Sequence, residues 1–274
     1  MADTNPFTHP AFLVYRQNLT RLLNEPQRPL PERLNKLNQN DIRTRTGQQL
    51  RFAAAERLDP AENYEQRIGR TGRVATRDKS WHDLFNGLVW LRFPKIKALL
   101  NDLHCRQLDL NSASGIRGRM RDMLTLFDES GAIVISEQPG VLQALARHDW
   151  QQAFRTDLEQ WHRSVQLIIF GHAMLEKYLQ TYKAMTAHCL LIEVTGNQLQ
   201  RQPEALCAWL DERLADWLSD QAPSLNSRRL SPLPVAGVPG WYQGQDEPSF
   251  YLDQKVFRAM QTGRKAVSTL RLAS

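Results

Sequence analysis

Cysteine is scarce in this chain. The 274 residues hold three, Cys105, Cys189 and Cys207, set far apart. Three thiols cannot all pair with one another, which argues against a disulfide framework and for reduced thiols in a cytoplasm. Long hydrophobic runs are lacking too. The longest strongly apolar stretch, Leu167 to Leu175, is interrupted by His172 and falls far short of the ~20 residues a membrane span needs. The opening Met1-Ala2-Asp3-Thr4-Asn5-Pro6 carries no basic and no apolar region of the signal-peptide kind. A P-loop, a dinucleotide-type GxGxxG, an HExxH and a GxSxG are all missing, so the best-known cofactor and nucleophile classes have no motif to rest on. His104-Cys105 and His188-Cys189 invite a zinc reading, but there is no CxxC and neither spacing matches a zinc signature. Neither sign of charge dominates. Lys and Arg number 35 against 29 Asp and Glu, a net +6, which permits an anionic partner without establishing one.

What is present is a chain that is 42% hydrophobic, ordinary for a protein with a proper core. Phe12 to Leu23 reads as a short helix, followed by a polar region over 31–80 with Pro31 and Pro60 as breaks. Pro94 splits the next region into two helices, because proline lacks the donor that a helix interior needs but suits a first turn. Leu124-Thr125-Leu126-Phe127-Asp128 and Ala132-Ile133-Val134-Ile135 are rich in β-formers and flank Glu129-Ser130-Gly131, the pattern of a β-hairpin. Helical patterns resume from about Val141 to Gln180. Cys189 to Val194 reads as a strand, and 203–218 as a helix with Leu206, Trp209, Leu210, Leu214 and Trp217 at helical spacing. Pro232 to Trp241, with three prolines and two glycines, is an irregular ordered arm or a linker. The expected fold class is α+β, predominantly helical, with a small antiparallel sheet made of the hairpin near 124–135 and the strand near 188–195. A single domain is expected over 1–274, with a helical N-terminal extension over 1–59 and a flexible tail from about 262.

Two helices draw attention because they mix polar and apolar faces unusually. On a wheel of residues 81–91, Trp81, Leu84, Phe85, Leu88, Val89 and Leu91 share one broad face, while His82, Asp83 and Asn86 fall on the other. Trp90 sits between Asp83 and Asn86, which implies that this polar side is covered as well or lines a cleft. Buried His, Asp and Asn must be hydrogen-bonded or bound to something. Asp83 has a second reading, as the third residue of a helix capped by Ser80. After Pro94, Lys97, Asn101 and His104 cluster on one flank, a spacing able to hold a phosphate or carboxylate or simply to face solvent. Val165 to Leu175 is apolar on nearly every side and reads as a central helix. His172 and Glu176 stand four residues apart on one of its faces, where a carboxylate is costly unless paired, protonated or metal-bound.

Asp128 and Glu129 end the first strand of the expected hairpin. Asp128 is a candidate site carboxylate there, whereas Glu129 reads as a local turn residue. Arg117, Arg119 and Arg121 precede it as a possible anion clamp or as surface charges.

Several blocks in one order carry a family resemblance. They are Arg77-Asp78-Lys79-Ser80-Trp81-His82-Asp83-Leu84-Phe85-Asn86, then Phe93-Pro94-Lys95 with Asn101, then Arg121-Asp122 with Leu124 to Gly131. Phe170-Gly171-His172-Ala173 with Glu176 follows, and Pro234 to Trp241 with Phe250-Tyr251 and Val256-Phe257-Arg258 closes the set. Together they resemble a bacterial domain-of-unknown-function family, number three thousand and twenty-five, over about residues 60–260. The resemblance implies one domain that includes the arm at 232–258, and it implies no activity.

The residues themselves suggest a metal-assisted hydrolase acting on a small anionic substrate. His82, Asp83, Asp128, His172 and Glu176 are the candidate catalytic groups. His82, Asp128, His172 and Glu176 are candidate ligands of a divalent metal, and Asn86, Lys97, Asn101, His104 and Arg121 are candidates for holding the substrate. Two other readings stand beside it. One is a non-catalytic module for an anionic partner such as nucleic acid, using the basic stretch at 67–79, the arginines at 117–121 and Arg228-Arg229. The other is a structural or adaptor protein whose polar cluster is only a hydrogen-bond network. No membrane association is expected.

Overall fold

Asp211 illustrates how distant parts of the sequence complete one another. Its carboxylate accepts from the backbone N–H groups of Lys95 and Ile96 at 2.9 and 2.8 Å, two of the donors that a helix N-terminus leaves without an internal partner. The computed structural model describes residues 5–111, 118–156, 161, 163–195, 197–245, 247, 249–263 and 265–272. The chain divides into two compact units: 14–125 with 203–226 form one, and the remainder forms the other.

The first, helical unit contains α1 (Arg16–Leu23), α2 (Leu30–Leu37), α3 (Tyr64–Thr71), α4 (Trp81–Arg92), α5 (Pro94–Asn111), the start of α6 (Arg119–Ser130) and α9 (Pro203–Gln221). It also holds β1 (Arg51–Ala54) and β2 (Arg73–Thr76), which pair in parallel from Arg51 against Arg73 to Ala54 against Thr76. The crossover between them includes α3, as parallel pairing requires. The polar region over 31–80 therefore holds α2, β1, α3 and β2, elements too short and too polar to show a clear period. Ser80 caps α4 by accepting from Asp83 N–H at 3.2 Å. Leu84 through Trp90 are all buried, so α4 is enclosed on the polar side of its wheel as well. Pro94 opens α5 as expected.

The second, sheet unit is built on a mixed five-stranded sheet: β3 (Gly131–Ser136), β4 (Val165–Ile169), β5 (Thr186–Glu193), β6 (Ser231–Pro234) and β7 (Leu270–Arg271). The order is β4-β3-β5-β6, with β7 also on β5. β3 is buried along all six residues, which is why it reads as an unbroken apolar run rather than an alternating one. It pairs antiparallel with β4 and parallel with β5. β6 joins β5 antiparallel, and β7 joins it in parallel. α7 (Pro139–Ala146) and α8 (His172–Lys177) complete the unit.

Three expectations need correction. Residues 124–128 are not a hairpin strand but the second half of α6: Met123, Leu124 and Phe127 are buried at helical spacing. Residues 165–169 are not a helix but β4, and the helix that carries His172 begins only after Gly171. Both errors have one cause, since short apolar runs do not separate strand from helix by period. The sheet is consequently mixed, with antiparallel pairing only in part. Within the Pro-rich arm, β6 and the buried Val235–Gly237 turn pack into the unit.

The Asp211 cap yields a test. Asp211→Ala leaves two N–H groups, that of Ile96 buried, without their acceptor and is expected to cost about 2 kcal/mol in chemical denaturation at pH 7. Burial pushes the Asp211 carboxyl up from 3.8 to about 6, although the Ile96 and Lys95 N–H groups favour its charged form. A folded pKa above the unfolded one means that the folded state keeps its proton longer, so this group's contribution to stability falls as pH rises from 3.8 to about 6. The stability gap between wild type and Asp211→Asn should therefore narrow across that range. A widening gap would mean that the helix N–H groups outweigh desolvation.

Candidate functional site

In the helical unit the polar flank of α4 and α5 is a closed network. Asn86 donates from Nδ2 to the Tyr64 hydroxyl at 2.9 Å, and its Oδ1 accepts from Lys97 Nζ at 3.0 Å. The Lys97 ammonium also stands 5.4 Å from the centroid of the Trp90 ring, a favourable cation–π distance. Asn101 donates from Nδ2 to the Glu65 carbonyl at 2.9 Å and to its carboxylate at 2.6 Å. Asn86, Lys97, Asn101 and His104 are all buried, so none of them is an ordinary exposed flank. Asn101 also lines a cleft of about 450 Å³ with Cys105, Asp102 and Arg70. Burial, with help from Glu65, Asp102 and Asp109, pushes the Cys105 thiol up to about 11, so it stays protonated and a weak nucleophile.

Asp83 is held locally. It accepts from Arg77 N–H at 2.6 Å and from the Arg77 guanidinium at 3.0 and 2.8 Å. Burial raises its carboxyl, but the Arg77 bonds outweigh it and the net displacement is downward. His82 is half-buried at the second position of α4, and Arg121 is half-buried on α6. Arg117 lies outside the described residues. Arg67 and Arg70 are engaged by Glu62, which with the Arg77–Asp83 pair neutralises much of the basic stretch at 67–79.

In the sheet unit a different geometry brings together three groups. The end of α6 carries Asp128 and Glu129, and the chain turns at once into β3. The carbonyl of Gly131 accepts from Phe170 N–H at 3.0 Å and Gly171 N–H at 2.8 Å, which ties the end of β4 to that turn. Phe127 and Phe170 stack with centroids 4.6 Å apart. A Cβ on Gly171 would lie 2.5 Å from Glu129 O, Ser130 N and Gly131 N. Only a residue without a side chain admits this approach, and the approach sets His172, the next residue, beside the end of α6.

The His172 side chain is 5% exposed. Its Nδ1 is 3.7 Å from Asp128 Oδ2, and its Nε2 is 3.5 Å from Glu129 Oε2. A buried imidazole thus has a carboxylate facing each ring nitrogen, at distances beyond the usual hydrogen-bond range. The expected pairing of Asp128 with His172 is present. Glu129, read from sequence as a turn residue, is the member that the pattern did not announce. Its signal is positional, at the last turn of a helix that the β-forming composition disguised. Glu176 lies half-buried one turn further along α8.

Burial raises the Cys189 thiol far above its ordinary value, and His188 and Cys189 are adjacent on β5, so their side chains leave opposite faces. No helix among the described residues is long and apolar enough to cross a membrane.

The chain belongs to a family described as a protein of unknown function, DUF3025, whose model matches residues 50–261. No curated protein and no solved structure matches it.

Gly171→Ala should destabilise the protein by about 2 kcal/mol in urea denaturation, because three backbone atoms must shift to admit one methyl group. A loss below about 0.5 kcal/mol would mean that the turn relaxes freely and does not fix His172.

Proposed function

We propose that the sheet unit carries a metal-assisted hydrolytic centre with His172 and Glu129 as ligands and Asp128 as the group that orients the imidazole. The observation that carries this reading is the separation of His172 Nε2 from Glu129 Oε2, 3.5 Å. That is long for a hydrogen bond, and two donors bound at about 2.1 Å to one tetrahedral ion lie about 3.4 Å apart. Asp128 on the Nδ1 side fits the carboxylate–histidine–metal pattern, in which the outer carboxylate selects the tautomer and raises ligand basicity. A divalent ion held there by His172 and Glu129 would supply an activated water as the nucleophile for hydrolysis. The substrate class is a small anionic molecule, a phosphoester or an amide with an acidic group, in keeping with the +6 net charge.

The nucleic-acid reading is the weaker one, because Arg67, Arg70 and Arg77 already have carboxylate partners. In the helical unit, the Lys97–Asn86–Tyr64 and Asn101–Glu65 bonds favour the structural-network reading for those residues.

Elemental analysis of untagged protein purified without chelator tests the metal reading. About one divalent ion per chain is expected in the wild type. His172→Ala and Glu129→Gln should lose it, and Asp128→Asn should bind about 10–100-fold more weakly. No metal in the wild type, even after soaking with manganese, zinc and magnesium, would sink the proposal.

A further inference from the structure

The last residue of α6, Ser130, leads to a second imidazole. Its Oγ donates to Leu126 O at 3.0 Å and stands 3.0 Å from His188 Nδ1. With the hydroxyl proton committed to the carbonyl, Ser130 accepts from His188 Nδ1–H, and Nε2 becomes the acceptor of the ring. Burial, with a smaller effect of Lys177, holds the His188 pKa below its ordinary value, which keeps this ring neutral near pH 7.

His188 lines a cleft of about 420 Å³ that lies wholly within the sheet unit, together with His148, Trp150, Thr186, Lys255 and Arg258. The charge of this lining is one-sided: among the described residues that form it there is no carboxylate. Neither Lys255 nor Arg258 makes an ion pair with a described residue. Their segment is nonetheless held in place. Lys255 N–H donates to Asp253 at 3.1 Å, Arg258 Nε donates to Lys255 O at 3.1 Å, and Trp150 Nε1 donates to Arg258 O at 2.9 Å. His148 in the same lining takes a left-handed backbone, φ 58°, a conformation uncommon for a residue with a side chain. It stacks on Trp150 with centroids 5.0 Å apart.

We propose that this cleft is a second binding site, for a small hydroxylated molecule with an oxyanion group, phosphate or carboxylate. Lys255 and Arg258 hold the anionic end, and His188 Nε2 accepts a hydrogen bond from the hydroxyl. Two cations outside any described ion pair, in a lining that holds no carboxylate, favour an anionic ligand, and charge-assisted hydrogen bonds are the strong ones available to it. A neutral imidazole with a fixed tautomer suits a hydroxyl donor and not a second anion. The site does not depend on the metal reading and uses none of its residues.

Isothermal titration of chelator-stripped protein in metal-free buffer, with sn-glycerol 3-phosphate, D-glycerate, inorganic phosphate and glycerol as the probes, tests it. Glycerol 3-phosphate, glycerate or both are expected to bind in the millimolar range or tighter, and which of them does so names the oxyanion class. Glycerol should show no binding at about 10 mM. The Lys255→Ala/Arg258→Ala double variant should fold normally, since both side chains are exposed, and should bind at least about tenfold more weakly. If neither acid binds better than glycerol, or if the double variant keeps full affinity, the site is refuted. Equal affinity for inorganic phosphate and glycerol 3-phosphate would overturn the part given to His188.

Discussion

The sheet unit depends on one carbonyl. Gly131 O receives two N–H groups, from Phe170 and Gly171, and so fixes the end of β4 against the turn from α6 into β3. Two consecutive donors on one acceptor are possible only because the chains approach closely, and the missing side chain of Gly171 allows that approach. Everything chemical nearby is placed by this contact. It sets His172 at the start of α8 against Asp128 and Glu129, and the same short turn carries Ser130 to His188. Three consecutive residues of α6, 128 to 130, therefore meet two different imidazoles.

Much of the helical unit was legible in the sequence because its signals are local. Ser80 before Trp81 marks the start of α4, Pro94 marks the start of α5, and the spacing of Leu206, Trp209, Leu210, Leu214 and Trp217 marks α9. The covered polar side of α4 was legible too, from Trp90 standing between Asp83 and Asn86. The sheet unit was harder to read. Val165 to Ile169 and Leu124 to Asp128 are short apolar runs whose state is decided by what they pack against: β4 is a strand because β3 offers it a ladder, and α6 is a helix because Met123, Leu124 and Phe127 share a buried face. Tertiary context of this kind has no signature within a five-residue window.

The site residues divide in the same way. Asp128 and His172 could be named from residue type and surroundings. Their meeting follows from a strand pairing that the sequence hides, and Glu129 joins them because α6 is a helix that runs to Ser130. Asp83 and Asn101 show the converse. Both are buried polar residues, which marked them as candidates, yet each is satisfied by a neighbour, Arg77 or Glu65, whose position no periodicity reports.

The carboxylate that caps α5 belongs to a residue 115 positions after Ile96. During synthesis the first turn of α5 leaves the ribosome long before Asp211 exists. At about 5–20 residues per second the interval is on the order of ten seconds. Throughout it the α5 N-terminus lacks its acceptor and the side chains that α9 will cover stay open to solvent, while β3, β4 and β5 of the other unit are being made in between. The helical unit is thus finished by a segment that arrives after most of its neighbour, and a nascent chain halted before residue 203 would present an incomplete core to chaperones rather than a folded half.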